Sequence, residues 1–320
     1  MDSFWTRLKK PIMVLAPLSD VTDVAFRRII AKYGKPDVLW TEFVSADGLA
    51  LAPTEDRKKL LKGLEYSEAE RPIVAQFFTS NPEHMRQAAE LAYKLGFDGV
   101  DINMGCPDKG VEKQGAGAKL LKDVSKAQEL IRATKEGAHG LPVSIKIRTG
   151  YNKPNLETWL PEILKESPAV VTVHARTRKE MSKVPADWSQ VKRAVELRDA
   201  SGQDTLIFGN GDVVDIDDAK KKCKDFGCDG VMLGRAVFGN PWLYKEGYKP
   251  SLEEKARVLV EHTKLFESLL SGYKNFATMK KHFKAYVSGF NGAADLRVRL
   301  METNNADEVE TIISQFLEAK

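Results

Sequence analysis

Asn103-Met104-Gly105-Cys106-Pro107 puts a thiol in a loop directly after the apolar run Gly99-Val100-Asp101-Ile102. Glycine before it and proline after it disfavour a helix or a central strand, so the cysteine belongs to a shaped connection. A free cysteine is most often a small buried hydrophobe. At the end of a buried strand, in a loop that continues through Asp108-Lys109-Gly110, Cys106 is instead placed as a reactive group. Residues able to do chemistry recur after the other apolar runs. They are Pro17-Leu18-Ser19, Glu42, Gln76, Asn103, Lys146 with Arg148, His174 with Arg176 and Arg178, Asn210-Gly211-Asp212 and Gly234-Arg235. Each alone has a plain explanation: Gln76 as an inter-strand hydrogen bond, Ser19-Asp20 as a helix start, His174 as a structural histidine. Their common placement argues for one site.

Two groups point to particular chemistry. In Phe208-Gly209-Asn210-Gly211-Asp212 and Leu233-Gly234-Arg235, glycines let backbone N–H groups approach an anion, and an arginine can add bidentate contacts. This predicts a phosphate site. Lys146 lies inside the apolar run Val143-Ser144-Ile145-Lys146-Ile147, where a lysine needs a partner or a shifted pKa. Three uses remain open for it: a Schiff-base nucleophile, a cation beside an electron-rich cofactor or phosphate, or a structural ion pair. No metal is expected, because no His/Cys/Asp cluster has ligand spacing. A phosphate-cradling G-x-x-x-x-G-K-[ST] loop is absent. Gly115-Ala116-Gly117-Ala118 follows no strand and is not read as a dinucleotide fingerprint.

These residues need elements to hold them. Eight short apolar runs punctuate the first 240 residues: 12–15, 38–40, 73–77, 100–102, 143–147, 170–173, 206–208 and 231–233. Such runs suit a parallel sheet covered on both faces. Helical patterns separate most of them, near 23–33, 82–95, 125–135, 156–166, 189–198 and 215–225. Asn81-Pro82-Glu83 opens one as N-cap and first-turn proline. Strands alternating with helices predict a (β/α)8 TIM barrel, with its active groups at the C-terminal strand ends. A doubly wound open sheet is the alternative, since periodicity does not show closure. Beyond Tyr244 the pattern changes. Gly247-Tyr248-Lys249-Pro250 reads as a linker and Ser251-Leu252-Glu253-Glu254 as a capping box. The expected organisation is a barrel over 1–245 and a small C-terminal all-helical domain over 251–320.

Composition narrows the class. The chain has 320 residues, 42% hydrophobic, and no apolar run near the ~20 residues that cross a bilayer. Its first residues have no signal-peptide pattern, and three cysteines at sparse spacing argue against a disulfide framework. A cytoplasmic protein with no membrane partner is expected, acting as a monomer. Residues 273–300 hold six cations against the single acid Asp295, more charge than the net +4 of the whole chain. That stretch is either a solvated helix face or a surface for an anionic partner.

Taken together, Ala16-Pro17-Leu18-Ser19-Asp20-Val21-Thr22-Asp23, Ile102-Asn103-Met104-Gly105-Cys106-Pro107, Ile145-Lys146-Ile147-Arg148, Val173-His174-Ala175-Arg176-Thr177-Arg178, Gly209-Asn210-Gly211-Asp212 and Gly234-Arg235 resemble the tRNA-dihydrouridine synthases. The resemblance runs in order over residues 11–245, and the tail is similar in composition and placement. Leu18-Ser19 departs from the Met-Ala or Met-Glu often found after Ala-Pro in bacterial members. The resemblance implies a TIM barrel holding FMN at the strand ends and reduced by NADPH. It implies that Pro17, Leu18 and Ser19 line the flavin, that Gln76 and Lys146 contact its ring or ribityl region with His174 close by, and that Asn210, Gly211, Asp212, Gly234 and Arg235 hold its phosphate. Cys106 would protonate C5 of a tRNA uridine after hydride addition at C6, and Asn103 would orient the uracil edge. Arg176, Arg178, Lys183 and the basic tail would contact tRNA. Three other readings compete: an FMN barrel acting on a small enone or pyrimidine, an aldolase-like barrel using Lys146, and a silent tRNA-binding protein.

Overall fold

The computed structural model describes residues 3–319. Eight strands alternate with helices. In chain order they are β1 (Ile12–Leu15), α1 (Val24–Tyr33), β2 (Leu39–Ser45), α2 (Ala46–Leu51), α3 (Thr54–Lys62), β3 (Ile73–Phe78), α4 (Pro82–Lys94), β4 (Gly99–Met104), α5 (Lys109–Lys113), α6 (Val124–Gly137), β5 (Val143–Arg148), α7 (Leu156–Leu164), β6 (Val170–His174), α8 (Ser189–Ser201), β7 (Leu206–Asn210), α9 (Ile216–Phe226) and β8 (Gly230–Leu233). All pairings are parallel; β2 to β8 follow sequence order and β8 pairs with β1. The ring closes where Val14 bridges Val38, with the Leu15 N–H donating to the Val38 carbonyl at 3.2 Å. Closure settles the choice between barrel and open sheet in favour of the barrel.

Alternation along each strand sorts the side chains. Ile12 and Val14 of β1 pack inside the barrel with Val74, Val170, Phe208 and Met232, whereas Met13 and Leu15 pack under the helices. The N-terminal end of the interior is plugged by Trp5, whose ring lies 5.9 Å from Trp40 and 5.6 Å from Phe208. Above that plug the inward positions turn polar. The parallel register sets Gln76 beside Asp101, Asp101 beside Ser144, Asn103 beside Lys146, Arg148 beside His174, and His174 beside Asn210.

All eight predicted runs are strands, and the six predicted helical patterns are helices. The sequence pattern had not indicated α2, α3 or α5. The reason is clearest in α3, which buries no residue and so has no apolar period; Glu55–Lys58 and Asp56–Lys59 pairs brace its surface instead.

The chain then continues as α10 (Leu252–Leu270), α11 (Lys280–Tyr286), α12 (Ala293–Glu302) and α13 (Ala306–Glu318). The Ser251 hydroxyl accepts from the Glu254 N–H at 3.1 Å, as the capping pattern predicts. α10 docks on α1 of the barrel, where Glu261 accepts from Lys32 at 2.7 Å and Tyr33 at 2.5 Å. The basic stretch is divided. Lys274 turns inward to Glu42, with both Nζ–Oε distances 2.9 Å, and to Asp20 at 3.3 Å. Lys280, Lys281 and Lys284 stay at the surface or half-buried.

Between barrel and tail lies an aromatic cluster of Phe26, His262, His282 and Tyr286. Phe26 stacks on His262 at 4.9 Å, and the two histidine rings meet edge-on at 4.6 Å. Both histidines are fully buried, and among the described residues no ring nitrogen of either has a hydrogen-bond partner. Burial pushes both imidazoles below their ordinary range; for His282, nearby Lys281 and Lys274 add to this and bring it to about 3. The unfolded chain therefore binds protons that the folded chain refuses, so stability is full above the free-histidine pKa of about 6.5 and falls as pH drops below it. The thermal midpoint should fall between pH 7 and pH 5. His282→Phe should make that fall shallower, as read by pH-dependent thermal melts.

Candidate active site

The C-terminal end of the barrel opens into a cavity of about 730 Å³. Its wall holds Pro17, Leu18 and Ser19 after β1, Asn103 and Cys106 after β4, Lys146 and Arg148 of β5, His174 and Arg176 after β6, Asn210, Gly211 and Asp212 after β7, and Gly234 and Arg235 after β8. Strand-end placement thus brings residues from Pro17 to Arg235, most of the length of the barrel sequence, around one space.

Cys106 sits half-buried on this wall. Its loop is held from three sides. The Asn103 side-chain oxygen accepts from the Gly105 N–H at 3.1 Å and the Cys106 N–H at 2.9 Å. Arg148 donates Nε–H to the Gly105 carbonyl at 2.9 Å and reaches the Thr177 and Met181 carbonyls with the rest of its guanidinium. From below, the Ala118 N–H donates to the Cys106 carbonyl at 2.9 Å. Gly117 explains the Gly-Ala-Gly-Ala segment. It adopts φ +59°, and a Cβ there would meet the Cys106 carbonyl oxygen at 2.7 Å. The loop is also shorter than its polar sequence suggests, because Asp108 caps α5 by accepting from Gly110 and Val111. Burial pushes the Cys106 thiol up, so at neutral pH it carries its proton.

Lys146 faces the cavity and donates to the Asn210 side-chain oxygen at 3.1 Å. Burial, reinforced by neighbouring Arg148, lowers it to about 8. His174 is held neutral, by burial first and then by Lys146, Arg148, Arg176 and Arg235. Its Nε2 faces an Arg176 N–H at 3.3 Å; arginine only donates, so Nε2 accepts and the ring proton is on Nδ1. Asp212 gathers two arginines: Arg176 on one oxygen and, at 2.5 Å, Arg235 on the other. Its hydrogen bond from Arg176 holds the carboxyl below its ordinary range. Arg176 is 3% exposed and Arg235 is 66% exposed, so most Arg235 donors remain open.

The group that these residues suit is a flat, edge-polar ring carrying a phosphate. Leu18, Met232, Ala236 and Phe238 supply apolar wall, and Lys146 and Arg235 supply cations. Gly234 fits a bound group rather than a packing need: a Cβ there would find only ordinary contacts, with Ala16 at 3.6 Å and Leu18 at 3.8 Å. It heads a short turn, Arg235–Val237, with no side-chain cap. The space beside it is where an added side chain would meet a ligand.

Three predicted site residues stand off the wall; one of them, Glu42, is paired with Lys274 of the tail. Gln76 is fully buried one layer below, bonded to Asp101 and Asn103. Arg178 is ion-paired with Glu112 of α5 and lies 5.3 Å from the Tyr151 ring. Asp101 and Ser144 were missed as site residues. Their signal is a polar residue at an inward position of an otherwise apolar strand. Cys223 and Cys228 do not line the cavity; they are buried thiols 3.5 Å from one another.

This arrangement has known counterparts. A family model described as dihydrouridine synthase matches residues 14–320. The chain belongs to the dihydrouridine synthase family. Among curated relatives, a probable tRNA-dihydrouridine synthase 2 from Bacillus subtilis (strain 168) is 38% identical, covering 98% of this chain and 97% of that one. A probable tRNA-dihydrouridine synthase from Staphylococcus aureus (strain COL) is 36% identical over 98% of this chain and 96% of its own. Solved structures share the barrel. A morphinone reductase mutant in complex with tetrahydroNAD aligns at TM-score 0.52 and 15% identity, over 73% of this chain and 85% of that one. Histamine dehydrogenase from Rhizobium aligns at 0.55 and 12%, over 79% and 48%. For this dihydrouridine synthase family member, Gly117→Ala should cost roughly 1–3 kcal/mol through its left-handed backbone and the blocked Cys106 carbonyl. Thermal melts and the rate of Cys106 alkylation check this, with alkylation expected to rise.

Proposed function

We propose that the chain is an FMN-dependent tRNA-dihydrouridine synthase that reduces the C5=C6 bond of a tRNA uridine with electrons from NADPH. The observation that carries the reading is Cys106: a half-buried thiol kept protonated by burial, facing a cavity lined by cations and apolar wall. A nucleophilic cysteine needs the thiolate, whereas a proton donor needs the thiol. Cys106 suits the donor.

Pro17, Leu18 and Ser19 would line a bound flavin, which in its reduced form would be the source of the hydride for C6. Asn210, Gly211, Asp212, Gly234 and Arg235 would hold its phosphate. Lys146 and His174 would face its ring, and Gln76 would support it from below. Asn103 holds the edge of the uracil. Cys106 gives its proton to C5, and the S–H electron pair stays on sulfur. The thiolate so formed is stabilised by Arg148 and Lys146, both of which lower the energy of the charged form. Solvent then returns the proton.

The uridine must leave its stack in the RNA to reach this cavity. Residues 1–245 would form the catalytic domain and 251–320 the tRNA-binding domain. Arg178, Lys183, Lys280, Lys281 and Lys284 would supply phosphate contacts, and Arg176 would act mainly by holding Asp212. No described helix is long and apolar enough to cross a membrane.

Cys106→Ala should retain bound FMN, read by its absorbance, and lose about 10²-fold or more of the dihydrouridine formed on unmodified tRNA, since general-acid catalysis typically contributes that much. Full turnover by this variant would defeat the reading. Lys146 is charged below its lowered pKa of about 8 and neutral above it. Turnover should therefore fall on an alkaline limb near that pH, and Lys146→Met should abolish the limb along with most of the rate.

A further inference from the structure

Beneath Cys106 runs a chain of hydrogen bonds that the reaction itself does not use. The Asn103 side-chain oxygen accepts from two backbone N–H groups, Gly105 and Cys106, which can only donate. This fixes its amide orientation, so its nitrogen must donate, and it does so to the Gln76 oxygen at 3.0 Å. The Gln76 nitrogen in turn donates to Asp101 Oδ2 at 2.5 Å. Asp101 Oδ1 accepts from the Ser144 hydroxyl at 2.6 Å. Gln76 and Asp101 are fully buried and Ser144 is 2% exposed, so water cannot substitute for a lost partner.

We propose that Asp101 is a positioning residue for the reacting loop: by accepting from Gln76 it anchors the buried end of the Gln76–Asn103 chain, and so steadies the backbone that carries Cys106. The inference rests on the functional reading above for what the thiol does.

The physical need is for direction. A carboxamide can sit in either of two orientations. With Gln76 reversed, its NH2 would face the Asn103 NH2, two donors in a buried space, and Asn103 would have to swing away from the Cys106 loop. The Gly105 and Cys106 N–H groups set that direction from the loop side; an acceptor at position 101 holds it from the buried side, where the Gln76 NH2 would otherwise lose its partner. Charge is not required. Burial raises the Asp101 carboxyl to about 6. A proton on Oδ1 would be accepted by Ser144 Oγ, whose own hydrogen can pass to the Val100 carbonyl at 3.3 Å. Oδ2 would still accept from Gln76. An asparagine at 101 can do the same, with its oxygen toward Gln76 and its NH2 toward Ser144.

The rival role for Asp101 is electrostatic, as a counter-charge that supports protonated Lys146. The two roles separate by substitution. Asp101→Leu removes both acceptor and charge; Asp101→Asn removes the charge, turns the Ser144 bond round and keeps the acceptor toward Gln76. Two measurements are made on the full chain. One is the alkylation rate of Cys106 by iodoacetamide, followed by peptide mass spectrometry without cofactor or RNA. The other is steady-state kinetics on unmodified tRNA with the FMN-loaded enzyme. D101L should alkylate about fivefold faster or more, because the thiol is no longer held against its burying wall. It should lose about tenfold or more in kcat with little change in KM, because a displaced reacting group costs rate and leaves remote RNA binding alone. D101N should recover alkylation to within about twofold of the parent and most of kcat, since its oxygen still accepts.

A D101L protein with unchanged alkylation and kcat overturns the proposal. So does a D101N protein as impaired as D101L, which would assign Asp101 to Lys146 instead. If D101L does not fold, Gln76→Leu decides: it cuts the link between Asp101 and Asn103 while leaving the Asp101 carboxyl in place, and Cys106 alkylation should rise about twofold or more, while an unchanged rate overturns the relay. A parent protein that forms no dihydrouridine defeats the functional reading alone, because the alkylation comparison is read without cofactor or RNA.

Discussion

Closure of eight parallel strands around a dry interior is the constraint on which the site depends. A parallel pleat turns every second residue inward, and a closed ring leaves those residues only the cavity at its C-terminal end as a route to water. Below, Trp5, Trp40 and Phe208 fill the space with apolar surface. Above, the inward residues of β3 to β7 are polar, and a buried one needs a partner. The register supplies it for Gln76, Asp101 and Ser144, which form one layer, and Asn103 at the next level bonds down to that layer through Gln76. The chemistry rests on that layer.

The electrostatics follow from the same enclosure. Cations dominate the cavity wall, and burial works against Lys146, His174 and Arg148. Lys146 is lowered to about 8, His174 loses its charge, and Arg148 stays ionised. The thiol is moved the other way, toward retaining its proton. A site with an excess of positive charge and a protonated acid suits a reaction in which anionic charge develops and is then quenched by a proton.

The helical tail is tied to this end of the barrel through Lys274, which reaches Glu42 within β2 and Asp20 beside the Pro17-Leu18-Ser19 loop. The Asp20 N–H also donates to Glu42 at 2.5 Å. The position of Leu18 and Ser19 on the cavity wall is thus connected to the docking of α10 and α11 on α1. Lys274, with Lys281 3.8 Å from Asp20, holds the two halves together, and Lys280 and Lys284 lie at the surface or half-buried.

Periodicity and strand-end placement in the sequence determined the eight strands and the helices between them, the helical tail and most of the cavity wall, because apolar alternation and Gly/Pro punctuation are local properties. The Cys106 loop was legible for the same reason. Tertiary structure alone decided ring closure through Val14 and Val38, since no local pattern encodes which strands meet. It also decided that Gln76 lies beneath the wall, that Arg178 is paired with Glu112, and that Lys274 is turned inward. A side chain's type limits what it can bond to; its partner is set by register and packing between residues far apart in the chain. Asp101 shows the division most clearly. In sequence it is one acid within an apolar strand, and only its placement between Ser144 and Gln76 gives it a chain to anchor.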